Sequence, residues 1–338
     1  FELVALDRDA FADPAVLCEA LTGADAVLHF AGINRASDED VEHGNPGIAE
    51  ALVRGCREVG ANPHIVYANS THAAFDTPYG RGKRRAGEIL ADHFSRYTDL
   101  VLPHIFGECA RPLYNNVTAT FIAQVIAGET PSVDPGGQVH LLHAGTAAQA
   151  AIDAALGDST GAQRPEPRSM AVDELLARIE VFHVAYGANL FPDLTDAFDL
   201  ALFNSYRASL YPDGFPRSLA LKSDARGTLF EAVKGGGGGQ TFLSWTEPGA
   251  TRGEHFHLSK VERFLVLEGE AVISIRRVLR EPVWEYRVSG KSPSIIDMPT
   301  LHTHSIKNVG SSPLLTLFWT QEVFDPAAPD TYADPVLG

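Results

Sequence analysis

The chain has 338 residues, 45% of them hydrophobic, enough for two domains with a core each. Its formal net charge of −16 argues against a nucleic-acid partner and against an anionic membrane surface, though a local site for a nucleotide stays compatible with it. Three scattered cysteines without paired spacing, no apolar run of about 18 residues and no visible signal peptide together predict a cytoplasmic protein without a disulfide framework.

Phe1–Leu6 reads as a strand already inside a fold. Ala26–Gly32 reads as a buried strand ending in a turn, 44–60 as a helix, His64–Tyr67 as the next strand, 82–97 as a helix and Leu100–Pro103 as another strand. Helices over 114–128 and 145–156 continue the alternation, which predicts an α/β, Rossmann-like domain with a doubly wound parallel sheet. Helices near 170–181 and 195–210 lead to Pro212, Gly214 and Pro216, where the domain boundary is placed: 1–216 and 217–338. Beyond Arg217, short alternating runs recur: Thr228–Val233, Thr241–Trp245, Arg263–Leu267, Ala271–Val278, Val283–Val288 and Leu314–Trp319. That spacing predicts an all-β sandwich or barrel. Gly235–Gly239 reads as a flexible hairpin loop, because no helix start follows it to make a phosphate cradle.

The most specific pattern lies in the second domain. Gly249, His255, His257, Glu262 and Gly269 are followed by Pro299, His302, His304 and Asn308. His255 and His257 are two apart on a predicted strand and so share a face, Glu262 begins the next strand, and His304 lies on a later one. Three imidazoles and a carboxylate converging inside a barrel would hold a first-row metal ion, zinc being the expectation. The competing reading is surface histidines on an edge strand. His302 faces the same way as His304 and is either a supporting residue or a proton-transfer group. The spacing resembles both signature motifs of the cupin (jelly-roll) family, with Leu301 standing where that family usually has glycine.

In the first domain, Tyr79 and Lys83 have the Tyr-x-x-x-Lys spacing, which puts both on one helix face. A neighbouring ammonium lowers a tyrosine pKa, so Tyr79 is expected to serve as general acid or base near neutrality. An exposed helical pair is the plainer alternative. Ser70 and Thr71 end the preceding strand, nine and eight residues upstream of Tyr79; Ser70 is preferred as the third member by register. The set resembles extended short-chain dehydrogenase/reductases, in which the turn His29 to Arg35 (HFAGINR) would line the cofactor and Asn45 stands where a helix asparagine occurs. The resemblance implies catalytic Ser70, Tyr79 and Lys83, with cofactor contacts from Ala31, Gly32, Asn34, Tyr79 and Lys83.

The combination resembles the CapF/WbjC family of capsule and O-antigen enzymes. The likeness runs through HFAGINR, Pro78 to Gly80, Tyr114 to Phe121 (YNNVTATF), Asp224 to Glu231 (DARGTLFE), the cupin ligands, and the endings Glu322 to Pro326 and Pro329 to Tyr332. It implies a dimeric, bifunctional enzyme acting on a UDP-linked 2-acetamido-2,6-dideoxy-4-ketohexose. A zinc cupin would carry out C3 epimerisation and the reductase domain C4 reduction with NADPH. It also implies substrate contacts from Thr71, His104, Arg111 and Asn115. His302 and Lys260 are the candidate epimerisation bases. Departures are His104, in a position commonly asparagine, and Ala144–Thr146. The competing hypotheses are a reductase fused to a different metal-cupin enzyme, an oxygenase or sugar isomerase, and a non-catalytic sugar or redox sensor.

Leu6, Asp7 and Arg8 would end a strand where an adenosine ribose binds; Arg8 favours the 2′-phosphate of NADPH. No glycine-rich dinucleotide turn occurs before Asp25. Because a Rossmann domain opens with a strand, such a turn and a helix, the native protein is expected to be longer at its N-terminus.

Overall fold

A computed structural model describes residues 2–157, 159–224, 227–235 and 238–337. The chain divides into two compact units: Phe1–Ile105 with His140–Ser169, and Phe106–Val139 with Met170–Gly338. Among the described residues no helix is long and apolar enough to cross a membrane.

The first unit is built on a parallel sheet whose strands run in the order Ala26–His29, His64–Ser70, Tyr97–Leu102, Gly161–Gln163. Strand period decides its two faces. Ile65 and Tyr67 pack with Leu52, Cys56, Ala86 and Leu90 of the helices Asp38–Val59 and Pro78–His93. Val66 and Leu100 pack with Leu142, Ala147, Ala151 and Ala154, the last three from the helix Ala144–Leu156. The long helix starts at Ser37, whose side chain accepts from Asp40 N, and stops at Gly60 in the left-handed conformation (φ 68°).

The second unit holds two five-stranded antiparallel sheets. One runs Gln240–Thr246, Leu314–Thr320, Glu262–Glu268, Ser294–Met298, Arg217–Ser218; the other runs Val283–Ser289, Glu270–Arg277, His302–Asn308, Thr251–Phe256, Tyr332–Ala333. Phe264, Ile296, Met298 and Phe318 from the first meet Ile273, Ile275, Val288 and Ile306 from the second in one core. The helices Val172–Gly187 and Ala197–Ser209 belong to this unit, and Tyr186 from the first of them donates its hydroxyl to Asp297.

Two expectations need correction, and one strand lies where none was expected. Residues 2–7 form no strand: Leu3 and Val4 are 78% and 57% exposed, and apolar content without a ladder partner does not make a strand. Phe1, at the head of that expectation, lies outside the described residues. The run expected over Thr228–Val233 is a strand only at Gly227–Leu229. Ser294–Met298 is a strand that alternation did not indicate, because Asp297 reads as a polar break until Arg263 pairs with it at 2.6 and 2.8 Å. Of the glycine run, positions 236 and 237 lie outside the described residues.

Candidate functional site

Two candidate clusters bring the expected residues together, one in each unit. In the first, the strand His64–Ser70 delivers Ser70, and the helix Pro78–His93 follows a short 3-10 turn, Thr71–Ala74. Thr77 caps that helix through Gly80 N at 3.1 Å, and Pro78 occupies its first turn. Gly80 and Gly82 let the helix seat closely. A Cβ at Gly80 would fall 2.3 Å from Phe75 O, and one at Gly82 2.8 Å from Val41 O. Arg81 between them binds Glu42 at 2.8 and 2.7 Å and Asp76 at 2.9 Å.

This seating buries Lys83, which is 4% exposed, so the pair is not an exposed one. Its Nζ donates to Ala68 O at 2.6 Å and lies 4.1 Å from the centroid of the Tyr67 ring. Burial lowers its pKa from 10.5 to about 8, against a smaller opposing pull from Asp99. Tyr79 shifts opposite to expectation: burial pushes its phenol up, and a hydrogen bond from Ser70 only partly offsets that. Lys83 directs its charge at Ala68 O and Tyr67, so desolvation dominates the phenol. Tyr79 therefore stands protonated at neutral pH, as a donor. Ser70 rather than Thr71 holds the hydrogen bond to Tyr79; Thr71 is exposed.

The turn after Ala26–His29 lies beside Lys83. Asn45 accepts from Ile33 N at 3.0 Å and donates to Ile33 O at 2.9 Å, fixing the turn. A Cβ on Gly32 would stand 3.0 Å from Asn45 Oδ1 and 3.9 Å from Lys83 Nζ. The glycine thus leaves a bare, exposed surface next to the ammonium; Ala31 and Asn34 are exposed on the same turn. Arg8 is not at a strand end. It is exposed in the helix Arg8–Ala12, and Asp7 caps that helix by accepting from Ala10 N at 2.8 Å. His104 starts the strand His104–Phe106. Arg111 and Asn115 belong to the second unit and are exposed; the Arg111 guanidinium lies 5.0 Å from the Tyr114 ring centroid.

The second cluster gathers the four expected ligands. One nitrogen or oxygen from each of His255, His257, Glu262 and His304 lies within 4.8 Å of the others. Simple alternation does not produce this. The strand Thr251–Phe256 shifts register between Gly253 and His255, with φ +99° at Gly253 and +62° at Glu254, which sets His255 directly opposite His304. A Cβ on Gly253 would lie 2.6 Å from His304 O, so the bulge needs glycine. His257 falls one residue past that strand, and Glu262 opens the next.

Glu262 Oε2 lies 3.1 Å from His257 Nε2 and 3.3 Å from His304 Nε2. His257 Nδ1 is 2.6 Å from Asp330 O, and His304 Nδ1 is 3.2 Å from His302 O. Carbonyls only accept, so the Nδ1 atoms carry protons and each Nε2 faces the carboxylate. His304 Nε2 is buried without a hydrogen-bond partner, and three imidazoles with one carboxylate are a donor set for a divalent cation, so these residues fit a metal ion. Burial raises the Glu262 pKa, but the His257 and His304 imidazoles close to its Oε2 outweigh that and hold the group well below the usual carboxylate range. Burial, helped by His304 and His257, lowers His255 to about 4.

His302 is 2% exposed, with Nδ1 2.9 Å from Thr300 O and its ring 4.6 Å from that of Tyr211. Burial lowers its pKa to about 4. Leu301 keeps the tight turn without glycine: it adopts φ +59° and donates its N–H to His257 O at 2.9 Å. Lys260 donates to Pro329 O at 2.6 Å. Asp330 was not singled out from the sequence, since nothing local to it signals a link to His257. The bulge could have been read from Gly253, an isolated glycine in a strand pattern.

Residues 222–332 match the family model described as the polysaccharide biosynthesis C-terminal domain. The chain is 30% identical over 326 residues to the UDP-2-acetamido-2,6-beta-L-arabino-hexul-4-ose reductase of Pseudomonas aeruginosa, covering 94% of this chain and 88% of that protein. The crystal structure of the capsular polysaccharide assembling protein CapF from Staphylococcus aureus is 28% identical, covers 98% of this chain and 90% of that one, and superposes with a TM-score of 0.57. CapF with the inhibitor 3-isopropenyl-tropolone gives 28% identity, 95% and 89% coverage, and a TM-score of 0.52. Together with the two clusters, these likenesses place the chain in the CapF-type family of UDP-sugar epimerase/reductases.

Proposed function

We propose that this chain is a bifunctional nucleotide-sugar enzyme of capsule or O-antigen precursor synthesis. It would epimerise C3 and then reduce the C4 ketone of UDP-2-acetamido-2,6-dideoxy-4-ketohexose. On the boundary read from the sequence, residues 1–216 are an extended short-chain reductase domain and 217–338 a cupin jelly roll, whereas residues 106–139 and 170–216 group with the second unit in the fold; two antiparallel sheets facing one core, with the His–Glu cluster inside, support the jelly roll. On the resemblance, the protein is read as a cytoplasmic homodimer. The observation that carries the proposal is the coexistence, in one chain of this family, of a protonated Tyr79 bonded to Ser70 and a four-ligand cluster.

NADPH would supply hydride at C4, and zinc held by His255, His257, Glu262 and His304 would polarise a substrate carbonyl. Tyr79 gives its proton to the C4 oxygen as negative charge develops there, and Ser70 orients that oxygen by hydrogen bonding. Lys83, its pKa lowered to about 8 by burial, holds the strand end that carries Ser70 through its bond to Ala68 O. At C3, where the neighbouring ketone acidifies the C–H bond, His302 accepts the proton on Nε2. Thr300 O holds the other ring nitrogen protonated. Reprotonation from the opposite face, with solvent as the proton source, would invert the centre. His302 is preferred to Lys260, whose ammonium is occupied by Pro329 O.

Product NMR after incubation with the 4-keto-6-deoxy UDP-HexNAc in deuterated water tests this. Without NADPH, deuterium should enter C3; with it, the C4 alcohol should form. Absence of NADPH oxidation dependent on that sugar would refute the reductase assignment. A kcat/KM for NADH equal to that for NADPH would move the cofactor to NADH. The same donor set also suits iron, nickel or manganese, and elemental analysis with an oxygen-consumption assay separates those readings.

A further inference from the structure

We propose that Asp330 is a positioning residue for the metal centre, acting through His257 and through the turn that joins His257 to Glu262. The inference rests on the metal reading of the His–Glu cluster.

Only four residues separate the ligands His257 and Glu262, and they lie between strands, without ladder partners for their N–H groups. Three of those groups in succession find one carboxylate. Leu258 N donates to Asp330 Oδ1 at 2.9 Å, and Ser259 N and Lys260 N donate to Oδ2 at 2.9 and 2.7 Å. Ser259 Oγ adds a fourth bond at 3.0 Å. The same residue acts through its backbone. Its φ of +41° is in the left-handed region, and its carbonyl takes the Nδ1 proton of His257 at 2.6 Å, turning Nε2 towards Glu262. One residue therefore fixes both the ring orientation of a ligand and the path of the chain to the next ligand.

Asp330 is itself held from both sides. Pro329 O accepts from Lys260 Nζ at 2.6 Å. Tyr332–Ala333 pairs with Phe256 and His255, and the Tyr332 and Phe256 rings stack at 5.3 Å. Asp334 N donates to Glu254 O at 2.9 Å, and Arg276 binds Asp334 at 3.0 Å. The segment is thus laid along the strand that carries His255. Groups that orient metal ligands in this way typically contribute about 10–100-fold to metal affinity, because they spare the ion from ordering its own ligands.

The test is zinc affinity by chelator competition on the full chain, with the visible spectrum of the cobalt-substituted protein as a direct report of coordination. Asp330→Asn tolerates the left-handed backbone and keeps the carbonyl, but loses an acceptor oxygen; Asp330→Ala loses both. Affinity should fall by about 10-fold in the first and up to about 100-fold in the second, with an altered cobalt spectrum. Asp334→Asn weakens the same segment through Arg276 without touching His257 or the turn, and should keep affinity within about twofold. If Asp330→Ala does not fold, Asp330→Asn carries the test. Unchanged affinity in the Asp330 variants, or an equal loss in Asp334→Asn, overturns the proposal while leaving the metal reading intact. Failure of the unaltered protein to bind zinc or cobalt overturns both.

Discussion

The cluster around Tyr79 and the cluster around Glu262 are both buried and polar, yet they settle their charges in opposite ways. Around Tyr79, desolvation wins. Lys83 falls to about 8, His29 falls to about 4, and the Tyr79 phenol rises, while Asp99 opposes the Lys83 shift only in part. Around Glu262, desolvation loses for the carboxylate, because two imidazole nitrogens lie within 3.3 Å of one of its oxygens. In the first arrangement the Tyr79 phenol keeps its proton while Lys83 moves towards neutrality, which suits a proton donor. The second concentrates donor atoms on one spot, which suits holding a cation. A single chain can therefore tune one site by burial and another by the close approach of its donor atoms.

The sharpest way to break this comparison is to remove one group from each side. Tyr79→Phe removes the proton donor and should cut ketone reduction by about 10²–10⁴-fold while deuterium still enters C3. His257→Ala should do the reverse, losing metal and solvent exchange at C3 while reduction of an already epimerised ketone persists. Loss of both activities in each folded variant would show that the two clusters are one site.

The close glycines come next. Gly253→Ala meets both a positive φ and His304 O, whereas Gly82→Ala meets Val41 O and gains helix propensity. Urea denaturation should show a cost of about 2–4 kcal/mol for the first and about 1–2 kcal/mol for the second. Only Gly253→Ala should also weaken metal binding. The opposite ranking would mean that the bulge is easily remodelled.

A subtler contrast is in pH. The Lys83 pKa lies at about 8 in the folded chain and 10.5 as an unperturbed group, so between those values the unfolded chain binds more protons. Stability should therefore rise as pH climbs from about 8 towards 10.5. Below about 8 Lys83 is charged in both states and adds no slope. Denaturation curves of Lys83→Met should lack the rise; an unchanged slope would assign it elsewhere.

The smallest effect concerns Leu301, which holds φ +59° where asparagine is better tolerated. Leu301→Asn should stabilise by less than about 1 kcal/mol, since lost apolar contact offsets part of the relief. A clear loss in thermal denaturation would show that packing of the leucine side chain outweighs the backbone strain.

Much of both sites was legible in the sequence because it is written in local periodicity. The four-residue step from Tyr79 to Lys83 puts them on one helix face, Ser70 ends a strand just upstream, and the spacing from His255 to Glu262 together with His304 marks four candidate ligands that the fold gathers. Tertiary structure decided what depends on distant partners. Tyr79 shifts up rather than down because the helix is pressed home through Gly80 and Gly82. Asp297 belongs inside a strand because Arg263 and Tyr186 cover it. Leu3 and Val4 stay exposed, Arg8 joins a helix, and His257 takes its orientation from Asp330, 73 residues away. Spacing along the chain determines which side chains share a face; burial, proton position and the carbonyl that orients a ring are set by neighbours that only the folded chain brings near.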